Sequence, residues 1–165
     1  MPSLQALDVI VADDSANMRK IVATLLLSAG ITKVRQAVDG WDAMTQLRAQ
    51  RADLVIVDLN MKPLDGLGFT RLIRADRHSP DPYLPILMMT GHAELTWVRE
   101  ARDAGVTEFV VKPFTPKAFL SRIEAMVMRP RPFVRSGGYF GPCRRRAREA
   151  PEGAPRRRAS DAVMV

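Results

Sequence analysis

Two adjacent acids, Asp13 and Asp14, close one short apolar run, and Asp58 closes another. Thr90 ends a third run and Lys112 comes after a fourth. Brought to one place, three carboxylates repel one another and raise one another's pKa unless something compensates them. A hard divalent cation does so. Mg²⁺ takes carboxylate, carbonyl and water oxygens, often one or two carboxylates plus a phosphate. A carboxylate in that setting can act as a nucleophile toward phosphorus. The metal and Lys112 would neutralise phosphoryl oxygens, and Thr90 would hydrogen-bond one of them. Each residue alone also has a plain structural reading. Asp13-Asp14 can cap a helix, Asp58 can belong to a turn, Thr90 can cap the next helix, and Lys112-Pro113 can be a surface turn. The chemistry requires that all of them reach one rim.

The elements that would put them there can be read from periodicity. Residues 8–12 (DVIVA) read as a buried strand. Met18, Ile21, Val22, Leu25 and Leu26 recur at helical spacing, with Ser15 or Asn17 as cap and Gly30 past the end. Residues 33–38 suggest a second strand, Asp39-Gly40 a turn and 41–50 a helix with Ala43, Met44 and Leu47 inward. The run 53–58 (DLVIVD) lacks alternation, as in a strand buried on both faces. A loop at 59–66, a helix near 67–76, a strand at 85–90 and a helix over 94–104 (Leu95, Val98 and Ala101 inward) come next. A strand at 108–111 and a helix at 115–128, with Phe119, Leu120, Ile123 and Val127 on one side, complete the set. Strands alternating with helices predict an α/β fold with a parallel, doubly wound sheet covered on both faces. Ligands then sit at the carboxyl ends of the strands, where the residues named above fall.

Composition agrees for most of the chain. Of 165 residues, 47% are apolar and 26% charged, which suits a globular core. The nearly apolar stretch Ile21 to Ile31 is too short to span a bilayer, so no transmembrane segment is expected. Residues 1–14 lack the pattern of a secretory signal, and the single Cys143 fits a reducing, cytoplasmic setting. The net charge of +7 is unevenly spread. Residues 1–128 hold fifteen cationic and fifteen acidic side chains, whereas 129–165 hold ten arginines and three acids. The two parts are therefore read separately.

The segments DDSANMR (13–19), DLNMKPLDG (58–66), TGH (90–92) and FVVKPF (109–114) resemble the receiver domains of bacterial two-component response regulators, especially the stand-alone chemotaxis type. The resemblance spans about residues 7–128. It implies a flavodoxin-like sheet of order 2-1-3-4-5 with five helices. It implies Mg²⁺-dependent phosphorylation of Asp58 by a histidine kinase, a phosphotransfer protein or a small phosphodonor. Asp14, Asp58 and the backbone carbonyl of Asn60 would be direct metal ligands, with Asp13 acting at the metal through water. Thr90 would be the switch hydroxyl, Phe109 the switch aromatic, and Lys112 the phosphoryl contact, with Lys112-Pro113 cis. An unidentified downstream protein, or a second copy of the chain, would meet the face formed by helix 4, strand 5 and helix 5. Self-phosphorylation and autodephosphorylation would be the only reactions, with no separate substrate turned over. Three departures stand out. The loop reads MKPLDG where MPxxDG is usual, Phe109 replaces a tyrosine, and His92 lies two residues past Thr90.

Residues 129–165 are rich in Arg, Pro and Gly, without sustained period, and are expected to be disordered or a docked extended segment. They cannot supply the packed core of a helix-turn-helix. Phe133, Tyr139 and Phe140, with the triplets 144–146 and 156–158, suit a solubilising tail or a docking segment. The alternative function is a regulator whose tail binds nucleic acid or an anionic surface. A flavodoxin-type phosphate loop and a haloacid dehalogenase-type site are disfavoured. The first needs Ser, Thr or Gly after strand 1, and the second needs Asp where Asn60 stands.

Overall fold

The computed structural model describes residues 3–91 and 95–144. His92 and the arginines after Arg144 lie outside these residues, as does the side chain of Leu95. Five parallel strands, β1 (Asp8–Ala12), β2 (Lys33–Ala37), β3 (Leu54–Asp58), β4 (Ile86–Thr90) and β5 (Glu108–Val111), form one sheet. Their order is β2-β1-β3-β4-β5, the flavodoxin-like arrangement. Five helices join them: α1 (Ala16–Ser28), α2 (Gly40–Ala49), α3 (Gly66–Ala75), α4 (Leu95–Ala104) and α5 (Pro116–Met128).

Strands β3 and β4 are buried at every position, so their apolar runs need no alternation. One face of the sheet packs with Met44, Leu47, Phe69 and Ile73, the other with Val22, Leu26, Phe119 and Ile123. The helices start where the chain offers a cap. Ser15, Asp39, Asp65 and Thr115 each accept a backbone N–H three residues on. Ile21, expected inward, is 43% exposed, because α1 turns the Val22–Leu26 stripe to the sheet. Gly66 lets α3 begin against the end of β3, where an added Cβ would stand 2.7 Å from the Asp58 carbonyl oxygen.

After α5 the chain forms a hairpin that periodicity alone did not reveal. Strand β6 (Phe133–Ser136) pairs antiparallel with β7 (Tyr139–Pro142). The two-residue loop Gly137-Gly138 has φ of 53° and 83°, the backbone that tight hairpins require. Phe133 and Phe140 set their rings 5.1 and 5.4 Å from that of Tyr83. The Arg74 guanidinium lies 4.9 Å from the Phe133 ring centre while donating to the carbonyls of Gly105 and Pro82. Arg131 pairs with Glu108 at 2.9 Å and Arg144 with Asp103 at 2.7 Å. Gly105, Glu108 and Tyr83 all precede or open a strand, so the hairpin covers the amino end of the sheet. No helix among the described residues is long and apolar enough to cross a membrane.

Candidate functional site

The opposite end of the sheet carries the acids. Parallel β1 and β3 are neighbours, so Asp13, Asp14 and Asp58 leave them side by side. One oxygen from each carboxylate lies within 4.8 Å of the others. Asp13 and Asp58 are buried and Asp14 is exposed, leaving the cluster open to solvent on one side. Strand β5 delivers Lys112, whose Nζ donates to Asp58 Oδ1 at 2.9 Å and lies 3.7 Å from Asp13 Oδ2. The backbone N–H of Lys112 donates to the carbonyl of Thr90 at 2.7 Å, which ties the ends of β4 and β5 together. Both Lys112-Pro113 and Lys62-Pro63 are cis.

The acids are not fully compensated by Lys112. Asp13 Oδ1 accepts the N–H of Ser15 at 2.9 Å, but Oδ2 is buried without a hydrogen bond. Burial raises the Asp13 pKa above the usual carboxylate value, and Asp58 and Asp14 push the same way. The Ser15 N–H and Lys112 oppose this. A buried carboxylate oxygen without a hydrogen bond, beside two more hard oxygen donors, fits a divalent cation. Thr90 is buried at the end of β4, the strand beside β3. Phe109 is half-buried on β5 opposite Met88. Asn60 and Lys62 are exposed in the loop after Asp58.

The model of the response regulator receiver domain matches residues 9–124. This chain belongs to that family. The receiver is 36% identical over 121 residues to the chemotaxis protein CheY of Pseudomonas aeruginosa, covering 73% of this chain and 96% of the relative. It is 34% identical to CheY-3 of Vibrio cholerae, covering 73% and 92%. Among solved structures, Vibrio cholerae CheY4 superposes with a TM-score of 0.65 at 32% identity, covering 72% of this chain and 96% of that one. A putative response regulator from Chloroflexus aurantiacus gives 0.69 at 26% identity, covering 74% and 98%. The hairpin lies beyond the part of the receiver that the family model matches.

Sequence reasoning missed the cations that hold the hairpin. Arg74 is 5% exposed, and burial lowers its pKa to about 10. Nothing in its spacing on α3 marks it as buried, since its partners are the carbonyl of Pro82 in the loop after α3 and, far along the chain, the carbonyl of Gly105 and the hydroxyl of Thr107. The hairpin itself had a readable signal in Ser136-Gly137-Gly138-Tyr139 between apolar pairs.

Proposed function

We propose that Asp58 is the phosphoacceptor of a single-domain response regulator and that Mg²⁺ is the cation its acids hold. The observation that carries this reading is the Lys112 ammonium seated on Asp58 within the three-carboxylate cluster. Asp14, Asp58 and the Asn60 carbonyl would ligate the metal directly, with Asp13 behind a water. When bound, Mg²⁺ supplies positive charge to the phosphoryl oxygens and offsets the repulsion among the acids.

The residues of the chain do the rest. A carboxylate oxygen of Asp58 attacks phosphorus, and the bond from phosphorus to the donor's leaving group breaks. Lys112 lies where the phosphoryl group arrives and neutralises it. The Thr90 hydroxyl donates to a phosphoryl oxygen, and Phe109 turns inward as β4 and β5 adjust. Added charge and acceptor oxygens thereby shift the population toward a different surface on α4, β5 and α5. The donor is a histidine kinase or phosphotransfer protein in the cytoplasm, and the reader is a downstream protein or a second copy.

Incubation with acetyl phosphate, with and without Mg²⁺, followed by intact-mass measurement, tests this. One phosphoryl group should appear only with Mg²⁺, and Asp58→Asn should abolish it. Labelling of Asp58→Asn at the wild-type rate overturns the assignment.

A further inference from the structure

The hairpin makes one wall of a cavity of about 530 Å³ against the end of α3 and the loop before β4. That volume lies in the range of small-molecule sites. Because β6 and β7 fall beyond the family match, the cavity is an addition of this chain to the receiver. It sits at the amino end of the sheet, away from Asp58. Arg71 and Arg77 reach it from α3 and the turn after it, and Arg135 from β6.

Among the described residues, none of these three guanidinium groups pairs with a carboxylate. Two acids line the same cavity; among the described residues only Asp103 is ion-paired, so the arginines still outnumber the remaining carboxylate. Asp103 pairs with Arg144 at 2.7 Å, and Asp76 accepts the N–H of His78 at 2.7 Å. The fourth lining arginine, Arg74, gives its donors to backbone carbonyls. The rings of Tyr83, Tyr139 and Phe140 line the same side, with the Arg135 guanidinium 4.6 Å from the Phe140 ring centre and that of Arg144 4.3 Å from the Tyr139 ring centre. Three exposed like charges brought to one open groove repel, and an anion bound there relieves them. Arginine forks match phosphate oxygens bidentately, and a planar guanidinium stacks on aromatic faces.

We propose that this cavity binds a phosphate ester carried on a planar body, that is, a nucleotide. The same chemistry is presented by a free nucleotide and by a nucleic-acid strand. Arg71 and Arg77 hold the phosphate, and the base stacks on the Arg135 guanidinium that lies over the Phe140 ring.

Calorimetric titration of the full chain with pyrophosphate, ADP, GDP and a 20-nucleotide single-stranded DNA tests the site. At least one nucleoside diphosphate should bind more tightly than pyrophosphate. Replacing Arg71, Arg77 and Arg135 together by Ala should weaken it at least tenfold, and replacing them by Lys should recover part of the loss. Acetyl phosphate labelling of Asp58 should be unchanged in both variants, showing that they fold. DNA binding tightest, with the same dependence on the three arginines, supports the site and assigns its phosphate to a strand. Wild-type affinity in the alanine variant places the binding elsewhere on the chain and overturns the proposal. Failure of every probe to bind at 1 mM or below overturns it too.

Discussion

Arg131 Nη2 lies 2.9 Å from Glu108 Oε1, and this pair fastens the segment after α5 to the first residue of β5. Glu108 is 3% exposed, and its other oxygen faces Arg122 at 3.4 Å. It is also the neighbour of Phe109. The hairpin is thus tied to the strand that carries both Phe109 and, just past its end, Lys112.

Arg131→Ala leaves a buried carboxylate with a weaker set of partners. Breaking a buried pair in this way costs about 3–5 kcal/mol when the charge is stranded. Since Arg122 remains, the expected loss is toward or below the lower end. Urea unfolding should show a reduced midpoint with an unchanged m value. Adding Glu108→Gln to Arg131→Ala should recover part of the loss, because the uncompensated charge is then gone.

Asp13→Asn should raise the melting temperature in EDTA. Burial holds the folded-state pKa of Asp13 above its ordinary 3.8. The folded state therefore binds more protons than the unfolded one in the window above 3.8. Stability falls as pH rises through that window, and the full penalty is present at neutral pH. The amide removes it. The same change should weaken Mg²⁺ binding by about 10–100-fold, the usual effect of losing a group that orients a metal's ligands. Scanning calorimetry in EDTA and a Mg²⁺ titration give the two readings.

Lys112→Ala removes the only ammonium in contact with Asp58 among the described residues. Losing one donor aimed at developing charge costs about 10²-fold in rate. Labelling by acetyl phosphate at saturating Mg²⁺ should slow by that order. Wild-type labelling kinetics would remove Lys112 from phosphoryl transfer.

Gly137→Ala and Gly138→Ala together should loosen the hairpin without touching the acids. Both positions have positive φ, and nothing lies within 4 Å of an added Cβ, so the cost is purely conformational. Each substitution costs about 1 kcal/mol. Amide exchange in 133–142 should accelerate, while Asp58 labelling stays at the wild-type rate.

Much of the receiver was legible in its residues. Apolar runs of four to six residues ended by Asp58 and Thr90 mark buried strands, and Ser15, Asp39 and Thr115 announce helix starts. Strand-helix alternation forces a parallel sheet and sends Asp13, Asp58, Thr90 and Lys112 to one end. These signals are local, or stem from the handedness of crossovers, so sequence alone carries them.

Tertiary structure decided what depends on distant partners. It turned Ile21 outward, because only packing decides which part of the α1 stripe meets the sheet. It left Asp13 Oδ2 buried without a hydrogen bond, a fact that exists only once β3 stands beside β1 and Lys112 reaches over from the end of β5. It buried Arg74 among the carbonyls of two loops and the ring of Phe133. In the sequence, residues 129–165 suited either a solubilising tail or a docking segment. Folding gave Arg131 and Arg144 acidic partners and set Arg135 beside Arg71 and Arg77, because charge pairing is a property of space and not of spacing.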